Sequence, residues 1–111
     1  MKKKKLSLSD LLMKSLEDSK AQDIVTIDLL NKSSLCDYMF VATGTSSRHV
    51  NSIVDSLQKV LKSFGWKGLV PEGSEGGYWI VLDAGDVIIH VLQQEARDRY
   101  RLEELWSKRY A

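Results

Sequence analysis

The sequence predicts a compact single α/β domain in which helices flank a mixed β-sheet. Three observations predict it. Val50, Ile53, Val54, Leu57, Val60, Leu61 and Phe64 recur at i, i+3, i+4, i+7, i+10, i+11 and i+14, the apolar stripe of an amphipathic helix. Tyr38 to Thr43 is apolar on both alternating sets, as in a strand covered on both faces. Tyr78–Leu82 and Val87–Leu92 are two further apolar runs joined by Asp83-Ala84-Gly85-Asp86, a short glycine-containing connection that reads as a β-hairpin. At 111 residues there is enough chain for one core and little more.

Taken in order, Lys2 to Lys5 give a basic tail over residues 1–8, and the domain runs over residues 9–108. Leu8, Leu11, Leu12 and Leu16 share one helical face, and Ser7 with Asp10 forms a capping-box pattern, so a helix is expected from Ser9 to Lys20. Ala21-Gln22-Asp23 breaks it. Ile24 to Leu29 is rich in β-branched residues and reads as a strand, and Asn31 to Ser34 as a turn. Tyr38–Thr43 then enters the striped helix through Gly44, with Thr45, Ser46 or Ser47 as the cap. Gly65 stands where a left-handed residue ends a helix. Leu69-Val70-Pro71 is expected as a short edge strand, because proline cannot donate to an interior ladder. After the hairpin, a charged helix is expected from Glu95 to Lys108, anchored by Tyr100, Leu105 and Trp106.

Composition limits the function. With 16 basic and 15 acidic residues the net charge is +1, too small for a global pull toward nucleic acid. Lys2–Lys5 at one end and Arg97, Arg99, Arg101, Lys108 and Arg109 at the other read first as solvated termini and second as an encounter surface for RNA. The single cysteine, Cys36, can form neither an internal disulfide nor a cysteine-based metal site, and nothing local activates it as a nucleophile. No apolar run long enough for a secretory signal or a membrane span follows the basic start, so the expected location is cytoplasmic, away from membranes.

Two places could carry chemistry. The strand–Gly44–helix junction could bind an anion, yet Arg48 and His49 occupy its first helical turn, where the helix dipole disfavours cations. That placement asks for a carboxylate partner such as Asp37 or Asp86, or for a bound anion. It lacks the further glycines and the lysine of a P-loop. Asp83 and Asp86 could hold Mg²⁺ for phosphoryl transfer in a minimal nucleotidyltransferase. Against this, residues three apart around a hairpin tip share no strand face. The same-side Asp-x-Asp spacing occurs nowhere in the chain. His90, between Ile89 and Val91, reads as a satisfied, partly buried histidine. No metal ligand set and no cofactor are expected. Trp79, after a glycine-rich loop, is the aromatic best placed to anchor a protein partner.

Several separated strings together resemble one family. They are Asp37-Tyr38-Met39, Thr43-Gly44-Thr45-Ser46-Ser47-Arg48-His49, Trp79-Ile80-Val81-Leu82-Asp83, Gly85-Asp86-Val87-Ile88-Ile89-His90-Val91, and Tyr100 with Leu102-Glu103-Glu104-Leu105-Trp106. In this order, over Leu8 to Trp106, they resemble the Iojap-like ribosomal silencing factors. The resemblance implies a nucleotidyltransferase-like topology without that superfamily's metal-binding carboxylates, and no enzymatic reaction. It implies binding to the large ribosomal subunit through ribosomal protein L14 at the intersubunit face, obstruction of small-subunit joining, and lowered translation when nutrients are scarce. On that reading Trp79, Asp83, Asp86, His90, Tyr100, Leu105 and Trp106 form the partner patch, and Gly44, Arg48, His49 and Gly85 support it. A homodimer of the free protein and a secondary contact with ribosomal RNA are further expectations.

Overall fold

The computed structural model describes residues 7–30, 36–66, 69–73 and 75–101. The element order is α1 (Leu8–Asp18), β1 (Gln22–Asp28), β2 (Tyr38–Gly44), α2 (Ser47–Ser63), β3 (Glu72–Gly73), a 3₁₀ turn (Glu75–Gly77), β4 (Trp79–Asp83), β5 (Val87–Gln93) and α3 (Gln94–Tyr100). The five strands form one sheet in the order β1-β2-β5-β4-β3. Only β2 and β5 run parallel, Tyr38 opposite Val87 and Gly44 opposite Gln93; the other pairs are antiparallel. The mixed sheet and its flanking helices are those the sequence predicts.

Helix boundaries follow local chemistry. Ser7 caps α1 reciprocally: its Oγ accepts from Asp10 N–H and the Asp10 carboxylate accepts from Ser7 N–H. The same helix ends in a Schellman arrangement. Lys20 N–H donates to the Glu17 carbonyl and Ala21 N–H to the Leu16 carbonyl, while Lys20 turns left-handed at φ 60°. α2 ends identically, with Gly65 and Trp66 donating to the Lys62 and Leu61 carbonyls and Gly65 at φ 94°. Glycine fills the left-handed position once; a lysine fills it the other time.

The sheet's two faces are treated differently. On one, Phe40, Ala42, Ile80, Leu82, Ile89 and Val91 pack against Leu12 and Leu16 of α1 and Val50, Ile53, Val54, Leu57 and Leu61 of α2. On the other, Met39, Val41 and Leu92 join Ile27, Leu29, Cys36 and Ala96 of α3. Both long helices therefore lie on one side. β2 is buried on both faces, as its sequence predicts, while the hairpin strands are less fully covered on the second face. The second face carries only α3 among the described residues, and Trp79, Val81, Ile88 and His90 there stay half-buried.

Two further boundaries are corrected. Leu69-Val70-Pro71 is not the edge strand. Gln58 of α2 donates to the Leu69 carbonyl, Val70 is 73% exposed, and pairing begins only at Glu72. Gly73 lies so close to β4 that a Cβ would overlap the Trp79 carbonyl oxygen, so the pairing residue must be glycine. The last described helix is short, with Arg101 left-handed at φ 46° after Tyr100. The remainder of the predicted Glu95–Lys108 helix, with Leu105 and Trp106, lies outside the described residues, as does the Lys2–Lys5 tail.

Candidate functional site: an aromatic patch on the open sheet face

Register places the candidate residues. Along β4, Trp79, Val81 and Asp83 point to the same face, and His90 lies opposite Val81 on β5. The diagonal neighbours Trp79 and Asp83 are thus each about 7–8 Å from His90. Trp79 Nε1 donates to His90 Nδ1 at 3.0 Å. The Trp79 ring also stacks, tilted, on Tyr100 of α3 with centroids 4.8 Å apart. Trp79, His90, Tyr100 and Asp83 therefore belong to one surface on the open face. Tyr100 remains 45% exposed, and burial lowers the pKa of His90 to about 4, favouring the neutral ring.

Asp86 lies at the hairpin tip, outside this row. The tip is a tight turn: Asp83 Oδ1 accepts from Gly85 N–H at 3.0 Å and Ala84 N–H donates to the Val87 carbonyl. Gly85 sits at φ 70°, and a Cβ there would meet the Trp66 ring at 3.1 Å. The Asp86 carbonyl accepts from Asp37 and Tyr38 N–H, tying the tip to the start of β2. Burial first, then the Asp37 and Asp83 carboxylates, push the Cys36 thiol pKa up, opposite to what a nucleophile needs.

The Gly44 junction lies at the other end of the sheet. From Tyr38, beside the hairpin tip, to Gly44 is six strand steps, about 20 Å. Asp37 and Asp86 are therefore out of reach of Arg48, which is exposed, and the expected carboxylate partner is corrected. The same separation keeps the Gly44 turn from sharing a phosphate site with Asp83 and Asp86. Nor is His49 a cation. Thr45 N–H donates to its Nδ1 at 2.9 Å, so Nδ1 is an acceptor, and Nε2–H donates to the Ser19 carbonyl at 2.8 Å. A neutral imidazole incurs no dipole penalty. It fastens the α2 cap, where Ser46 Oγ accepts from His49 N–H, to the end of α1. Gly44 itself is packed shut: a Cβ would come within 2.6 Å of Val50 Cγ2. The junction borders the loop leading into Trp79, since a Cβ on Gly77 would meet Asn51 Nδ2 and the Ser47 carbonyl at 2.9 Å.

One residue of structural weight was misread from sequence. Arg97, grouped with the solvated basic terminus, is only 6% exposed, and its Nη1 donates to Thr43 Oγ1 at 2.8 Å. It ties α3, and with it Tyr100, to β2. The one sequence signal is its place beside the apolar Ala96, a pattern that a charged helix hides.

Among the described residues, no group of three His, Cys, Asp or Glu side chains is disposed to hold a metal, and no helix is long and apolar enough to cross a membrane. The family model described as "Ribosomal silencing factor during starvation" matches residues 2–110. A ribosomal silencing factor of Haemophilus influenzae is 41% identical over 92% of this chain and all of its own length. A crystal structure from Chromobacterium violaceum superposes with a TM-score of 0.83 at 42% identity, covering 90% of this chain and 83% of that one. A mouse protein named "Mitochondrial assembly of ribosomal large subunit protein 1" is 32% identical over 90% of this chain, which spans 45% of the mouse protein. With nearly its whole length matched by the family model and by a full-length relative, the chain belongs to the ribosomal silencing factor family.

Proposed function

We propose that this protein binds the large ribosomal subunit through ribosomal protein L14 at the intersubunit face and blocks small-subunit joining, lowering translation when nutrients are scarce. The observation that carries the reading is the Trp79–His90–Tyr100 cluster, a half-open aromatic surface on the sheet face that α1 and α2 leave free. Buried aromatic anchors dominate binding energy at interfaces, and this one is already held in place in the free protein. Asp83, on the same face, meets basic side chains of the partner and orients the encounter; Asp86 extends that charge at the tip. Leu105 and Trp106 are further contacts in this reading. The mechanism is occupancy, with no reaction. The separation of the Gly44 turn from the Asp83–Asp86 hairpin supports this, since phosphoryl transfer would need them together. Family membership, and the large-subunit assembly role in the mouse relative's name, support the choice of subunit.

The basic Lys2–Lys5 segment makes a secondary, salt-dependent contact with ribosomal RNA, and the free protein pairs as a homodimer. The protein works in the cytoplasm. Equilibrium binding to purified large and small subunits tests the docking step. Saturable binding to the large subunit, competed by isolated L14, is expected; equal binding to both subunits, or indifference to L14, contradicts it.

A further inference from the structure

The Trp79–His90 hydrogen bond decides which polar atom this patch offers a partner. An indole N–H can only donate, so His90 Nδ1 at 3.0 Å must be the acceptor and the ring is the neutral Nε2–H tautomer. Trp79 thereby turns its own N–H inward and contributes ring surface. The Nε2 hydrogen is left as a donor, and it meets no acceptor among the described residues. Its in-register and same-strand neighbours on the face are apolar: Val81 directly across on β4, Ile88 two residues back along β5 and Val41 on β2, with Asp83 at the diagonal. A ring in this state can donate outward but cannot accept there, because its acceptor atom is taken.

We propose that His90 Nε2–H is the hydrogen-bond donor through which the patch reads its partner, so that the partner must place a carbonyl or carboxylate oxygen over His90. The proposal rests on the reading of this patch as the large-subunit docking surface. In the free protein His90 is half-buried, so water can accept a hydrogen bond from this N–H. A docking protein strips that water, and an apolar or cationic group over His90 would leave the N–H unpaired, weakening binding on the order of ten- to a hundredfold. The patch thus asks for three things in a row: an apolar pocket for Trp79, an acceptor over His90 and a cation near Asp83. Each neighbouring pair is separated by about 7–8 Å. A partner with a basic side chain at the middle position is rejected, which gives specificity beyond the aromatic anchor.

Two isosteric substitutions separate contact from support. His90→Gln places an amide N–H near the Nε2 position and gives up the acceptor for Trp79. His90→Asn places an oxygen near the Nδ1 position, keeps that acceptor and removes the outward donor. Measured against purified large subunits, His90→Gln is expected to bind within about threefold of wild type and His90→Asn about tenfold or more weakly. Equal affinities, the reverse order, or equal loss in both overturns the proposal. Should either variant fail to fold, ¹⁵N spectra of the wild-type imidazole titrated with isolated L14 give the same decision. A downfield, exchange-protected Nε2 proton supports the contact, and an unchanged one overturns it. Wild-type protein that binds no large subunit removes the docking reading itself, and this inference with it; wild type that binds while the two variants rank the wrong way removes this inference alone.

Discussion

Trp79 and His90 set each other's chemistry, and two consequences can be measured. Because the indole is held by His90 on one side and Tyr100 on the other, little conformational freedom is lost when a partner covers it. Trp79→Ala should therefore weaken large-subunit binding by about 2 kcal/mol or more; unchanged affinity in a folded variant would remove it as the anchor. His90 also makes stability depend on pH. Its folded pKa of about 4 lies below the ordinary 6.5. Above pH 6.5 neither state is protonated there and the contribution is complete. As pH falls from 6.5 toward 4, the unfolded chain takes a proton that the folded ring refuses, and stability drops by up to roughly 3 kcal/mol. Urea unfolding at pH 7.5 and 4.5 should show this drop in wild type and a smaller one in His90→Gln; equal drops would mean that other groups carry it. The partly buried setting of His90 was legible in the sequence, because Ile89 and Val91 fix its strand setting. Its partner was not: only register brings a residue eleven positions away onto the diagonal. Arg97 was illegible for a related reason, since a buried arginine and a solvated one look alike until Thr43 is seen beside it.

The helices α1 and α2 and the hairpin strands were read closely from sequence because their signals are local. Ser7 and Asp10 predict one cap, and Gly65 one terminus, three to four residues from the groups they satisfy. β3 was misplaced because its position depends on Gly73 lying against the Trp79 carbonyl, a contact no window of sequence contains. Lys20 is one of three left-handed non-glycine residues among those described, with Asp23 and Arg101. A non-glycine residue there costs about 1 kcal/mol or more, offset by closure of α1 and by Ser19 offering its carbonyl to His49. Lys20→Gly should raise stability by about 0.5–1 kcal/mol in chemical denaturation, while large-subunit binding stays unchanged. A loss of stability would show that the lysine side chain carries a contact worth more than the relieved strain. His49, likewise, belongs to architecture: it staples the α2 cap to α1.

The whole molecule is two-sided. Among the described residues, one sheet face is closed by both long helices, and the other holds α3 and a half-buried aromatic surface. One end of the parallel pair carries the acidic hairpin and the other carries the Gly44 junction, about 20 Å away. The sequence made the layers legible through apolar periodicity. It could not show the asymmetry, because strands buried on both faces and strands half-open on one both read as continuous apolar runs. The asymmetry keeps the Gly44 turn apart from the Asp83–Asp86 hairpin and sets Trp79, His90 and Tyr100 on one face, the arrangement on which the proposed docking rests. The most direct test of the proposed mechanism is sucrose-gradient sedimentation of purified ribosomal subunits at association-promoting Mg²⁺, with wild-type protein or Trp79→Ala. Wild type should migrate with the large subunit and raise the free-subunit fraction, and Trp79→Ala should do neither at the same concentration. Wild type that migrates with joined ribosomes, or leaves the free-subunit fraction unchanged, would contradict the account.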